Sequence, residues 1–204
     1  DRGIRVILDL AMNHSSIRHP WFLQATEYLK NLPEGAQPDP SECPYVDYYH
    51  FSREAQSGYA QVNGTDWYYE ARFWDGMPDL DLQNEEVRRE FEQVADFWLD
   101  MGVDGFREDV ITYIAKTPGL PSVYPKLPAA NGMQHYTNRP DVHTYLAEFK
   151  RDVLDGYDCF IVGESPMTNI KKTTPNSARY LMLSESCPKA RPSVCGSIST
   201  PAAR

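Results

Sequence analysis

Arg107 and Asp109 stand two residues apart in the run Asp104-Gly105-Phe106-Arg107-Glu108-Asp109-Val110. On a β-strand that spacing puts both side chains on one face, with the guanidinium beside the carboxylate. A neighbouring cation keeps an acid ionised, which suits Asp109 as a nucleophile at neutral pH; an ordinary structural Arg–Asp pair has the same spacing. Glu164 ends the apolar run Phe160-Ile161-Val162-Gly163. An apolar setting favours a carboxyl that still holds its proton and can donate it, although a lone acid at a strand end also serves as a helix cap. Two carboxylates in opposed environments are what retaining glycoside hydrolysis requires: one attacks the anomeric carbon, and the other protonates the leaving oxygen and later activates water. Asp9, Asn13 and His14 cluster in the same way behind a third apolar run.

The elements that must position these residues read as parallel βα units. Ile4 to Leu10 is short, β-branched and nearly all apolar, the pattern of a strand buried on both faces. A helix is expected around Trp21 to Lys30, followed by a long segment without clear periodicity to about Leu82, either a functional loop or a small inserted domain. Asn84 is a good N-cap, Glu85 and Glu86 favour a first turn, and Val87, Phe91, Val94, Ala95, Trp98 and Leu99 recur at helical spacing up to Gly102. A strand over Gly105 to Asp109, a helix from Pro140 to Gly156 and a strand over Cys159 to Gly163 follow. Each strand ends in an acid, so Asp9, Asp109 and Glu164 converge on one mouth if the strands are neighbours in a (β/α)8 barrel. A doubly wound sheet also brings strand ends together, but the Gly-rich dinucleotide turn is missing.

Composition narrows the partners. The chain has 204 residues, is 41% hydrophobic and carries a formal charge of -9, which excludes wholesale disorder and argues against a protein that coats nucleic-acid phosphates. A small oligosaccharide fits the 12% aromatic content, because sugar rings stack on aromatic faces and cores also collect them. No apolar run reaches the roughly 18 to 20 residues of a membrane span, so no membrane partner is expected, and the cytoplasm is the expected location. Cys43, Cys159, Cys187 and Cys195 are far apart and lack paired metal-site spacing, so free thiols are expected. No cofactor and no metal are expected; Asp39, Glu42 and Asp47 read as a solvated face. Asn13-His14-Ser15 and Asn63-Gly64-Thr65 match the glycosylation acceptor pattern by chance.

Taken together, Asp9-Leu10-Ala11-Met12-Asn13-His14, Gly105-Phe106-Arg107-Glu108-Asp109 and Val162-Gly163-Glu164 resemble, in order, the first three signatures of the α-amylase family of glycoside hydrolases, family 13. Met77-Pro78-Asp79-Leu80-Asp81 resembles that family's additional motif. With Trp21 to Lys30, His50-Phe51, Ala95 to Arg107 and Val110 to Lys116, the likeness is strongest to its oligo-1,6-glucosidase, dextran glucosidase and trehalose-6-phosphate hydrolase branch, over roughly residues 1 to 172. The resemblance implies an α/β fold: part of a (β/α)8 barrel, about strands 3 to 5, with an inserted small B-type domain. Residues 1–14 would hold strand 3, 15–82 the insertion, and 83–172 the helices with strands 4 and 5. It implies Asp109 as nucleophile, Glu164 as acid/base, and Arg107 as the group that orients Asp109. Asp9 and His14 would line the cleaved glucose, with Asn13 supporting their loop. Val110 accompanies a preference for α-1,6 linkages. The alternatives are trehalose-6-phosphate hydrolysis, α-1,4 cleavage or sucrose isomerisation, and, in another class, a non-catalytic transporter-subunit relative.

The pattern is departed from in places. Glu108 stands where an apolar residue is usual and, on a strand, points away from Arg107 and Asp109; an acid there needs a partner. Asp81 replaces Asn. The fourth signature, a His-Asp pair whose Asp supports the transition state, has no counterpart. Residues 173–204 read as an atypical, out-of-frame or disordered tail, and the chain as an incomplete, inactive fragment of a barrel that needs about 250 residues.

Overall fold

The computed structural model describes residues 2–117 and 135–166; the expectations for the tail and for Cys187 and Cys195 lie outside them. Three strands, β1 (Ile7–Leu10), β5 (Gly105–Glu108) and β6 (Phe160–Gly163), form a parallel sheet in the order β1-β5-β6. Between β1 and β5 lie α1 (Pro20–Asn31), three short strands and α2 (Glu85–Asp100); α3 (Asp141–Asp152) precedes β6. The short strands β2 (Phe51–Ser52), β3 (Tyr59–Gln61) and β4 (Tyr68–Glu70) form an antiparallel sheet in the order β2-β4-β3.

Helix boundaries follow the chemistry of their ends. The Asn84 side chain accepts from the Glu86 N–H at 2.9 Å, and its amide donates to the Asp47 carbonyl at 3.1 Å, so this cap also ties α2 to the segment before β2. Gly102 closes α2 in a left-handed conformation, φ +91°, donating to the Leu99 carbonyl. In α1 the cap is His19, whose Nδ1 accepts from the Trp21 N–H. Helix α3 runs into a tight turn at Leu154–Gly156, as the Gly156 stop required.

The core joins the parallel sheet to α2 and α3 through Leu10, Phe106, Val87, Ala95, Leu99, Leu146, Phe149 and Ile161. The same core continues between α1 and the antiparallel sheet, with Phe22 in edge contact with Tyr49 and Tyr69. Gly105 is required between β5 and β6. Its φ is +147°, and a Cβ there would lie 1.8 Å from the Phe160 carbonyl oxygen.

Two expectations are corrected. The first strand is shorter than Ile4 to Leu10: it begins at Ile7, and among the described residues it pairs with β5. On α2, Val94 and Trp98 are exposed in this chain along with Phe97 and Met101, whereas Val87, Ala95 and Leu99 are buried. Glu108 does turn away from the Arg107 face and is fully buried, where its charge adds to the burial that pushes the Cys159 thiol up to about 11.

Candidate active site

The parallel register sets the site. Asp9 stands opposite Arg107, and Arg107 opposite Val162, so the side chains of Asp9 and Arg107 share a face. The ladder continues past the strand ends: Asp109 N–H donates to the Leu10 carbonyl at 3.1 Å, Glu164 N–H to the Glu108 carbonyl at 2.8 Å, and Ile111 N–H to the Glu164 carbonyl at 3.0 Å. These bonds fix Asp109 and Glu164 at the carboxyl end of the sheet beside Asp9.

Arg107 is the hub. Its Nη1 donates to Asp9 Oδ1 at 2.7 Å and to Asp109 Oδ1 at 2.6 Å, and its Nη2 donates to Glu164 Oε2 at 2.5 Å. The hydrogen bond to Asp9, then the charge of Asp109, raise the guanidinium above its ordinary value. Asp109 is the most enclosed acid of the three, its side chain 18% exposed. The Glu164 side chain is 44% exposed in this chain.

His14 faces the other oxygen of Asp109, its Nε2 3.7 Å from Oδ2. Burial lowers the imidazole below its ordinary value, against the opposing charges of Asp79 and Asp109, so the ring is neutral at pH 7. Asn13 lies beside it, fully buried, with Nδ2 3.5 Å from His14 Nδ1. Because Lys116 Nζ donates to Asn13 Oδ1 at 2.9 Å, the amide nitrogen is the end turned to His14; Nδ1 then accepts, and the ring proton sits on Nε2 towards Asp109. A buried Asn13 is no glycosylation acceptor. Val110 adopts a left-handed conformation, φ 40° and ψ 46°, and its N–H donates to Glu164 Oε2 at 3.4 Å.

Every residue singled out from sequence is thus near one point; what the sequence did not announce lies beneath them. Lys116 is buried 3.7 Å from Asp79 and also donates to the Leu80 carbonyl at 3.4 Å. Burial pushes the Asp79 carboxyl up to about 6, against the pull of Lys116. Residues 13–15 and 78–80 run antiparallel, joined by Leu80 N–H to the Asn13 carbonyl and Ser15 N–H to the Pro78 carbonyl, which places Asp79 under His14. Arg72 Nε donates to buried Glu70 at 2.6 Å. His50, pushed down to about 4 by burial, stands 3.8 Å from Glu70 and 3.7 Å from Asp81, the position where the resembled motif has Asn. On the rim, the Phe73 ring lies 5.6 Å from that of His14 and 5.5 Å from that of Tyr113. Among the described residues, Glu92, Glu148 and Asp152 bring carboxylate oxygens within 4.8 Å of one another, but on the α2–α3 surface, with Arg88 already on Glu148.

The chain is similar to known proteins throughout this region. It is 38% identical over 180 residues to an oligo-1,6-glucosidase of Parageobacillus thermoglucosidasius, covering 81% of this chain and 30% of that protein. It is 33% identical over 178 residues to an α-glucosidase of Pediococcus pentosaceus, covering 81% and 30%. Among solved structures, the trehalose-6-phosphate hydrolase of Bacillus licheniformis superposes with a TM-score of 0.70 at 30% identity, covering 86% of this chain and 32% of that one. The chain therefore spans about 30% of the length of the curated relatives it matches. The α-amylase catalytic domain matches residues 1–182, past the Lys172 at which the resemblance was expected to fade. That domain implies a (β/α)8 barrel, of which the parallel sheet and its helices form part. An ordered set of acids at parallel strand ends and a family match over most of the sequence thus agree, and the chain belongs to the α-amylase family of glycoside hydrolases through its catalytic domain.

Proposed function

We propose that these residues are the catalytic segment of a retaining α-glucosidase acting on short α-1,6-linked oligosaccharides. In this reading β1, β5 and β6 are about strands 3 to 5 of the barrel, and residues 15–82, with the antiparallel sheet, are the inserted domain. The observation that carries it is the single guanidinium of Arg107 held against Asp9, Asp109 and Glu164 at neighbouring strand ends.

The chemistry runs from that arrangement. Asp109 attacks the anomeric carbon while Arg107 on Oδ1 and the His14 Nε2 edge near Oδ2 fix the carboxylate plane. Glu164, freed from Arg107 and protonated when the glucoside enters, gives its proton to the leaving oxygen as the glycosidic bond breaks. A glucosyl ester on Asp109 results. Glu164, now a carboxylate, takes a proton from water, the water oxygen displaces Asp109, and two inversions give net retention. Preference for α-1,6 bonds rests on Val110 beside the nucleophile and on the relatives named oligo-1,6-glucosidase. A trehalose-6-phosphate hydrolase is the second reading, favoured by the structural likeness. The transporter-subunit reading is disfavoured because both acids are retained on the same guanidinium.

The resemblance assigns a third carboxylate to sequence outside these residues, so the test uses the longer polypeptide that carries it; the 204-residue chain alone is expected to be inactive. Isomaltose, maltose, trehalose 6-phosphate and sucrose are compared side by side, with isomaltose the preferred substrate. Asp109→Asn should lower kcat/KM by on the order of 10^4 or more. Glu164→Gln should lower it by about 10^2 to 10^4, and less for an aryl glucoside whose leaving group needs no proton. Near-normal turnover by Asp109→Asn defeats the assignment.

A further inference from the structure

We propose that Lys116 is a positioning residue for the proposed reaction: from beneath the site, and through Asn13, its ammonium group fixes the tautomer of His14 that turns an Nε2–H edge to Asp109. The kinetic half of this rests on the α-glucosidase reading above; the structural half does not. Three segments of the chain meet at the ammonium. Lys116 closes the segment that starts at Asp109, Asn13 and His14 follow β1, and Asp79 and Leu80 belong to the segment before α2. Three acceptors face its three protons: Asn13 Oδ1 at 2.9 Å, the Leu80 carbonyl at 3.4 Å and Asp79 Oδ2 at 3.7 Å. Lys116, Asn13 and Asp79 are all buried by the described residues themselves.

Each link leaves the next a single choice. An ammonium is only a donor, so the Asn13 atom against it is the oxygen, and the amide nitrogen is the end turned to His14 Nδ1, 3.5 Å away. The amide nitrogen is likewise only a donor. Nδ1 is therefore the bare nitrogen of a neutral ring, and the proton sits on Nε2, 3.7 Å from Asp109 Oδ2. The reverse tautomer would set a lone pair against that carboxylate. Neutralising Asp79 requires none of this, because an ammonium bound to Asp79 alone leaves Asn13 free to present either end. A buried charge behind His14 thus decides whether the imidazole attracts or repels the carboxylate that attacks, a matter of alignment in the reaction more than of substrate binding.

The test uses the polypeptide that carries the rest of the domain. In nitrogen NMR of isotope-labelled histidine, bare and protonated ring nitrogens resonate far apart, and the His14 pair is assigned by its loss in His14→Gln. Wild type at pH 8 should show Nδ1 bare and Nε2 protonated; the reverse overturns the proposal. Asn13→Asp keeps the side-chain shape, the ammonium and its pairing with Asp79, but offers Nδ1 an acceptor. The proton should move to Nδ1, and kcat for isomaltose should fall about ten- to a hundredfold at pH 8, with KM changed by less than about threefold. The deficit has a pH signature. Burial lowers the wild-type imidazole, opposed by Asp79, Asp109 and Asp9 and aided by Lys116. An added anion at position 13 raises it, and the imidazolium formed at lower pH carries an Nε2–H again. The kcat of Asn13→Asp relative to wild type should therefore recover from pH 8 to pH 5. Lys116→Met frees the Asn13 amide to turn and should show both tautomers. Wild-type nitrogen signals in either variant, or an Asn13→Asp deficit equal at both pH values, overturn the proposal, since a purely structural lysine predicts them. Failure of both variants to fold does so too. If the wild type hydrolyses no α-glucoside, the functional reading fails by itself and the nitrogen signals alone decide the role of Lys116.

Discussion

Replacing Lys116 by Met keeps the apolar stem and removes one ammonium group from beneath the site. The loss is threefold: Asp79 loses its cation at 3.7 Å, Asn13 Oδ1 its donor at 2.9 Å, and the Leu80 carbonyl a weaker one at 3.4 Å. Lys116 and Asp79 are each 1% exposed at the side chain, so solvent screens nothing, and among the described residues neither Asp79 oxygen accepts a hydrogen bond. Breaking such a pair costs about 3–5 kcal/mol, a large share of the roughly 5–15 kcal/mol that holds a domain folded. The pH dependence has a definite sign. The folded Asp79 carboxyl is already raised to about 6 by burial, above the ordinary ~3.9 of an unfolded chain, and without Lys116 it rises further. The folded state then binds the extra proton across that window, so this group's contribution to stability falls as pH rises through it. The deficit of Lys116→Met relative to wild type should accordingly be largest at pH 8 and shrink by pH 5. Urea unfolding of the full chain followed by tryptophan fluorescence measures both, and Asp79→Asn added to Lys116→Met should restore much of the loss at pH 8. A deficit below about 1 kcal/mol at pH 8, or one that is the same at both pH values, refutes the reasoning.

Two backbone positions give further tests. Because Val110 sits in the left-handed region, Val110→Gly should be about 1 kcal/mol more stable than Val110→Ala in urea unfolding, the reverse of the usual order; Ala equal to or better than Gly would show that φ 40° is not imposed. Gly105→Ala puts a Cβ against the Phe160 carbonyl with no side chain to move aside, so β5 and β6 should separate, with a loss above ~4 kcal/mol or insoluble expression; a variant of wild-type stability by circular dichroism refutes the close approach.

The order of strands and the meeting of their acids were legible because both depend on local pattern: an apolar run of strand length, then a carboxylate. Pairing of Arg107 with Asp109 followed from the period of two. Burial was less legible, because it depends on neighbours that a segment does not encode. Ile4 and Val6 look like part of the strand and lie before its start at Ile7, and Trp98 keeps helical spacing with buried Ala95 yet is exposed in this chain. The antiparallel sheet escaped because its strands are two or three residues long, too short for alternation to register. One signal for it was present: Asn63-Gly64 lies between β3 and β4, with Gly64 at φ +79°, the dipeptide that tight hairpins favour. Lys116 was the deepest omission. A lysine closing the run from Val110 to Ala115 looks like a snorkelling surface residue. It is instead buried on Asn13, Asp79 and the Leu80 carbonyl, beyond a left-handed turn at Val110 of which a β-branched residue gives no advance notice.

The charges of the assembled site bear on how it would accelerate the proposed reaction. One guanidinium faces three carboxylates, and His14, the other group against Asp109, is neutral. The arrangement holds an excess of negative charge that a neutral glucoside does not neutralise. Positive charge develops on the sugar only as the glycosidic bond breaks, so attraction to the carboxylates grows from ground state to transition state, the condition under which binding energy becomes rate. The three acids do not contribute alike. A unit charge about 4 Å away is worth about 4 kcal/mol where the effective dielectric is near 20 and about 1 kcal/mol in bulk water. Glu164 enters the first step protonated, and Asp109, its side chain 18% exposed, lies towards the first limit. Arg107 binds all three, so its own positive charge opposes the sugar cation. Its value must lie in geometry, and release of Glu164 on substrate entry leaves it holding Asp109 and Asp9 while the acid takes up its proton.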